Sequence, residues 1–279
     1  MKQKARLMPL VSERLAEDLI VSRRLIKFEI GKYAFAGQFV KDKIVLDLGC
    51  AGGYGSSYLM TKGAKKVVGV DISKDAVENA RAYHENDGLY FLLSDVQQLP
   101  FHDNFFDVIV ALEIIEHLER VEDFLNECSR VLKDGGTFIC STPNKGVGYP
   151  NVDKPSNPYH VKEFYIEELH QLLSQYLENI NLCGYMHYKA GGNKEKLIGM
   201  MKSLLFSLPI FFQTAIIKFV ALVTSFIFRG YRPTIMRDID EEEFDSMLTA
   251  DSRPFPIQGD HAAASYIFAV GEKKGGKFS

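Results

Sequence analysis

The sequence predicts an α/β fold, a mostly parallel sheet with helices on both faces. Three observations carry that expectation. Short apolar runs recur along the chain, amphipathic segments separate them, and the runs end in loops rich in glycine and aspartate. Parallel neighbours cannot be joined by a tight turn, so each needs a crossover, and helices in those crossovers cover the sheet. With 279 residues, 46% of them hydrophobic and 25% charged, the chain has ample apolar material for one large domain carrying an insertion.

A mixed-charge helical cover over residues 1–40 precedes the core, which runs from 41 to 188. The core opens with a strand, Ile44 to Leu48, closing in a glycine-dense loop. A helix from Tyr54 to Lys62, a strand from Val67 to Asp71 and an amphipathic helix N-capped by Ser73 follow. Three more buried strands are expected: Tyr90 to Leu93, Asp107 to Leu112 and Thr137 to Ser141. Helical sequence separates the last two, and Asp134-Gly135-Gly136 supplies a turn before the third. A helix over Phe164 to Leu177 and a strand over Ile180 to Tyr185 complete this part. A hydrophobic insert at 189–237 then interrupts the domain. The return, 238–279, carries the last strand, Ser265 to Gly271.

The first strand feeds the loop GCAGGYG, Gly49 to Gly55. Glycines at such a turn permit positive φ and let a ligand approach the backbone, although one glycine there also serves packing alone. Asp71 ends the second strand, where a carboxylate accepts from ribose hydroxyls. Asp95 follows the third, where an acceptor suits an adenine amine. Either aspartate alone reads better as a helix N-cap. All three elements in this order point to a nucleoside pocket. A dinucleotide is the rival ligand, and Asp47 argues against it: its charge, two residues before Gly49, is expected to face the loop and repel a pyrophosphate. The same charge suits a sulfonium and an ammonium.

The segments VLDLGCAGGYG, VVGVDIS, SDVQQLPF, FDVIVALEIIEHL and RVLKDGGTFICSTPN resemble the successive motifs of class I S-adenosylmethionine-dependent methyltransferases, over roughly Val45 to Asn144. The resemblance implies a Rossmann-like sheet of seven strands, the last antiparallel and inserted between its neighbours. It implies a donor site in which Asp47 and Gly49 lie along the methionine part, Asp71 on the ribose, and Asp95 with Val96 at the adenine. Ala51, Gly53 and Ile72 complete the expected donor-binding set. Ala51 departs from the family, which usually has glycine there, with Gly52 as the residue that could compensate.

Glu113, Glu116 and His117 lie in LEIIEHL after the fourth strand, and His160 lies in NPYH after the next. Two carboxylates and two imidazoles could bind Mg²⁺ or Mn²⁺, which would activate and orient an acceptor hydroxyl. Alternatively His117 or His160 serves as general base, or His117 merely orients a loop. The E-x-x-E-H segment is similar to that of small-RNA 2′-O-methyltransferases and of ubiquinone-biosynthesis O-methyltransferases. KYAFAGQFVKDKIVLDLGC and STPN followed by NPYHVKEFYIEEL resemble methyltransferases of bacterial surface-polysaccharide and lipid-glycan pathways. These resemblances imply an oxygen acceptor on a small molecule or a lipid-linked glycan, with Tyr33, Tyr149, Tyr159 and Tyr165 as candidate contacts. RNA 2′-O-methylation with a divalent metal is the enzymatic rival, and a non-catalytic S-adenosylmethionine-binding module is the alternative from another class.

Composition narrows the partners. Lys+Arg 33 against Asp+Glu 36 gives a net charge of −3, which speaks against DNA and weighs against RNA. Four scattered cysteines (Cys50, Cys128, Cys140, Cys183) suit a reducing, cytoplasmic setting. Charged residues interrupt Met1 to Leu19, so no signal peptide is drawn there. The apolar stretch 204–228 contains Pro209 and Lys218, and a core strand follows it, which disfavours spanning a membrane. A lid over the acceptor pocket or a peripheral contact at the inner membrane face fits its basic flanks better.

Overall fold

The computed structural model describes residues 31–147, 155, 157, 159–185, 255–256 and 264–275. All of them belong to the larger of two compact units in the chain, 27–188 with 240–279. Residues 1–30 of the expected cover and the whole insert at 189–237 lie outside the described residues. Among those described, no helix is long and apolar enough to cross a membrane.

Eight strands form one sheet: β1 (Ile44–Leu48), β2 (Lys66–Asp71), β3 (Leu89–Leu93), β4 (Phe106–Leu112), β5 (Leu132–Pro143), β6 (Leu177–Tyr185), β7 (Phe255–Pro256) and β8 (Tyr266–Lys273). Their order is β3-β2-β1-β4-β5-β8-β6-β7. The first five pair in parallel, and β8 runs antiparallel between β5 and β6. That is the expected seven-stranded arrangement with its inserted last strand. The two-residue β7 is not legible in the sequence, being too short to show alternation. Its proline is tolerated because β7 lies at the sheet edge.

Helices α1 (Tyr54–Thr61), α2 (Lys74–His84), α3 (Val121–Val131) and α4 (Ile166–Leu173) fill the crossovers. Ser73 caps α2, its hydroxyl accepting from the Ala76 N–H at 3.4 Å. In α3 the buried residues Phe124, Leu125, Cys128 and Val131 recur at helical spacing and face the sheet. Phe124 meets Phe138 of β5 edge-on at 6.4 Å between centroids. Full burial of Phe124 contributes about 2–3 kcal/mol.

Two boundaries differ from expectation for local reasons. Helix α4 stops at Leu173 rather than Leu177, because the Ser174 N–H bonds back to His170 and the Tyr176 N–H to Leu173, tightening the chain into β6. Strand β5 begins at Leu132, and the predicted Asp134-Gly135-Gly136 turn survives inside it as an irregularity with Gly135 at φ 70°. The chain just before β1 is helical over 31–36 and brings Lys32 and Tyr33 into the interior, 1% and 6% exposed.

Candidate active site

The carboxyl ends of β1, β2, β3 and β4 share one rim, where open α/β sheets bind ligands. The loop after β1 is shaped by backbone constraint. Gly49 sits at φ 71°, and a Cβ on it would lie 2.0 Å from Ile114 Cδ1. Gly53 at φ 85° leaves no room beside Phe91 and Ala80. Ala51 occupies the left-handed region too, at φ 48°, at a cost of about 1 kcal/mol. Its N–H donates to Asp71 Oδ2 at 2.9 Å. Gly52 has no positive φ, so it does not take over the conformation that glycine would ease at position 51.

Asp47 does not face the loop with its charge, contrary to the sequence-based expectation. It is fully buried, accepting from Ser56 Oγ at 2.5 Å and from the Tyr33 hydroxyl at 3.3 Å. Burial pushes its pKa up to about 7, against the opposing pull of those two hydrogen bonds. Asp47 therefore ties β1 to α1 and to the helix that precedes it. The argument against a pyrophosphate from its charge falls, since the carboxyl holds a proton up to near neutrality.

Asp71 is 3% exposed and accepts from two backbone N–H groups, Ala51 at 2.9 Å and Ser73 at 2.8 Å. It thus fixes the glycine loop against the end of β2, and a carboxylate retains lone pairs beyond those two bonds. Next to it Ile72 is 72% exposed, and Leu93 at the end of β3 is exposed as well. Two large apolar side chains left uncovered at this rim, beside a glycine cradle, offer an apolar surface to the face of a flat ring. Asp95 turns the chain after β3, accepting from the Gln97 N–H at 2.8 Å, with Val96 buried beneath. Asp71 ends β2, Ile72 follows it, and Asp95 and Val96 follow the neighbouring β3, so the four residues gather on one rim.

On the acceptor side the four suspected ligands separate. Glu116, His117 and His160 come together, with one ligand atom of each within 4.8 Å of the others. Glu113 is not in that group. Its carboxylate pairs with the buried Lys32 at 3.2 Å and accepts from Ser141 Oγ at 3.3 Å, and its backbone stands at φ 57°. Glu116 is buried and accepts from Thr142 Oγ1 at 3.0 Å, while its Oε1 has no hydrogen-bond partner among the described residues. Desolvation first, and then the Glu113 charge, raise its pKa well above the usual carboxylate range. His117 Nδ1 lies 3.0 Å from the Tyr159 carbonyl oxygen. His160 Nδ1 lies 3.0 Å from Glu163 Oε1, and its Nε2 3.0 Å from Asn157 Nδ2. The two imidazoles meet edge-on at 4.9 Å. The Glu116 carbonyl accepts the Val161 and Lys162 N–H groups, which docks residues 159–163 on the turn that follows β4.

Of the four tyrosines, Tyr33 is engaged by Asp47 and Tyr159 contributes its backbone to His117. Tyr165 carries the Lys145 ammonium over its ring at 5.1 Å, and Tyr149 lies outside the described residues. Lys32, Ser56, Thr142, Asn157 and Glu163 were missed by sequence reasoning. Asn157 and Glu163 left a local signal, standing three residues before and after His160. All four cysteines are free thiols.

Residues 46–140 match the family model of a methyltransferase domain. Over 166 residues the chain is 33% identical to a Mycolicibacterium smegmatis protein named probable S-adenosylmethionine-dependent methyltransferase, covering 60% of this chain and 63% of that one. It is 39% identical over 101 residues to the fatty-acid O-methyltransferase of the same species, covering 36% and 37%. The chain thus spans under two thirds of the length of these relatives. In fold it is similar to a SAM-dependent methyltransferase from Archaeoglobus fulgidus, with a TM-score of 0.54 at 17% identity over 93% of this chain and 99% of that one. Motifs, strand order and these likenesses agree: residues 46–140 match a methyltransferase domain, and the chain is similar in sequence to S-adenosylmethionine-dependent methyltransferases and shares their fold.

Proposed function

We propose that the chain transfers a methyl group from S-adenosylmethionine to a hydroxyl oxygen of a small molecule or lipid-linked glycan, with His117 as general base. One observation carries this reading, the 3.0 Å contact of His117 Nδ1 with the Tyr159 carbonyl. A carbonyl only accepts, so Nδ1 holds the proton and Nε2 keeps its lone pair. When bound, S-adenosylmethionine supplies a methyl on a sulfonium and leaves as S-adenosylhomocysteine, the sulfur keeping the electron pair of the broken carbon–sulfur bond. The protein aligns the acceptor, and His117 Nε2 receives the hydroxyl proton as the new oxygen–carbon bond forms. The relative named fatty-acid O-methyltransferase supports oxygen as the acceptor atom.

A second reading has an observation of its own, the unpartnered Glu116 Oε1 beside His117 and His160. Glu116 Oε1 and His117 Nε2 would hold Mg²⁺ or Mn²⁺, and His160 would join only by giving up Asn157. Such an ion would lower the pKa of the acceptor hydroxyl.

The test is transfer of labelled methyl from S-adenosylmethionine to polyprenyl-linked sugars, catechols and long-chain fatty acids. In His117→Gln, transfer to hydroxyls should fall about 10²–10⁴-fold with donor affinity unchanged, whereas an already ionised fatty acid needs no base and should be spared. Undiminished hydroxyl transfer in that variant would refute the base assignment. Loss of wild-type transfer in EDTA, restored by Mg²⁺ or Mn²⁺, would replace it with the metal reading.

A further inference from the structure

A hydrogen-bonded chain runs from the segment after β4 into the residues that follow β5 and ends on a buried carboxylate. It starts at His117, whose Nδ1–H donates to the Tyr159 carbonyl at 3.0 Å. The Tyr159 N–H donates to Asn157 Oδ1 at 3.0 Å. That contact fixes which end of the Asn157 amide points where, because only the oxygen can accept from a backbone N–H. The amide nitrogen is thereby turned to His160 Nε2 at 3.0 Å, and as a donor it requires a lone pair there. His160 must then carry its proton on Nδ1, which faces Glu163 Oε1 at 3.0 Å. Every donation runs the same way, from His117 towards Glu163.

The two histidines, alike in sequence reasoning, therefore have different duties. Both are Nδ1–H tautomers, but the His160 lone pair is taken by Asn157, while no partner of His117 Nε2 occurs among the described residues. The end of the chain is well sheltered, the side chains of His160 and Glu163 being 8% and 6% exposed. In such surroundings aligned hydrogen bonds reinforce one another, and reversing one link leaves two donors or two acceptors facing each other. The Tyr159 backbone sets the direction at His117 and at Asn157, and the Glu163 acceptor, by holding the His160 ring and through it the Asn157 amide, keeps that backbone where its carbonyl meets His117.

We propose that Glu163 is a positioning residue: acting through His160, Asn157 and the Tyr159 backbone, it holds His117 in the Nδ1–H tautomer and so presents Nε2 to the acceptor. The proposal rests on the reading of His117 as base only for its catalytic consequence. The tautomer itself is a property of the resting protein.

The experiment is ¹⁵N–¹H long-range correlation spectroscopy of the histidine side chains in the whole 279-residue chain at neutral pH, assigned with His117→Gln and His160→Gln. In the wild type, His117 and His160 should both show a protonated Nδ1 and a bare Nε2. Finding Nε2–H on either histidine overturns the proposal without any further variant. Glu163→Ala, checked for folding by unchanged S-adenosylhomocysteine affinity in calorimetry, should turn the single His117 tautomer into a mixture. A folded Glu163→Ala with His117 still wholly Nδ1–H also overturns it. Glu163→Gln keeps an acceptor oxygen and should restore the wild-type pattern, and a mixture in that variant counts against the proposal. A tautomer that responds to Glu163 while His117→Gln leaves hydroxyl methylation intact would keep the positioning and remove the base.

Discussion

The two rims of the sheet treat charge in opposite ways. At the amino ends of the parallel strands, Asp107 accepts from Lys133 at 2.7 Å and from the Ile44 N–H at 2.8 Å. Those partners outweigh its desolvation and hold its carboxyl below the usual range. Arg130 donates to Glu127 and Asp103 and to the carbonyls of Leu99 and Phe101, and the buried Lys273 reaches Asn104, Leu132 and Asp134. At the carboxyl ends, Asp47 and Glu116 are buried among hydroxyls and are pushed up instead. Backbone strain follows the same division. Away from the ligand rim the non-glycine residues at positive φ are Asp42, Asn104 and Asn179, types that tolerate it, whereas at the rim they are Ala51 and Glu113. Among the described residues, the amino-end groups named above are paired and relaxed, whereas at the candidate site Ala51 and Glu113 carry backbone strain and Asp47 and Glu116 suppressed ionisation, as functional sites commonly do.

Asp47→Asn should break this contrast most. With a folded pKa of about 7 against 3.8 unfolded, the native state binds the extra proton between those values. Stability from this group is therefore fully present below the unfolded pKa and is lost as pH rises through about 7. Urea unfolding should show the wild type losing about 3 kcal/mol from this group between about pH 5 and about pH 8, a loss that Asp47→Asn removes. An equal fall in both proteins would show that Asp47 ionises normally.

Arg130→Met probes the opposite rim. Loss of its charged hydrogen bonds should cost about 2 kcal/mol in denaturant unfolding while S-adenosylmethionine affinity stays within about twofold. A large affinity loss instead would mean that the two rims are coupled. The smallest effect belongs to Ala51→Gly, which should raise stability by up to about 1 kcal/mol by relieving the left-handed alanine, offset in part by the entropy of the unfolded chain. A destabilised variant would show that the Ala51 methyl packs usefully despite its backbone.

Asp71 illustrates what a sequence hides about a recognisable motif. Its place after β2 was legible, yet its carboxylate also holds the Ala51 and Ser73 N–H groups. Truncating it would loosen the glycine loop along with any ribose contact, so lost donor affinity would not separate the two. Glu113 is the sharper case. The segment LEIIEHL offered three candidate ligands together, and Lys32, from the helix before β1, claims one of them. Nothing near position 113 signals that partner.

The sequence by itself determined the order of strands and helices, because hydrophobic period and turn residues are local properties, and with it the rim that gathers Gly49, Asp71, Asp95 and His117. Tertiary structure alone decided what those groups are chemically. Asp47 became a buried carboxyl through Tyr33 and Ser56, Glu113 a counter-ion through Lys32, and the neighbouring His117 and His160 took different hydrogen-bond partners, Tyr159 for the one and Asn157 and Glu163 for the other. Charge state and tautomer depend on solvent exclusion and on hydrogen-bond partners brought in from elsewhere in the chain, and those exist only once it has folded.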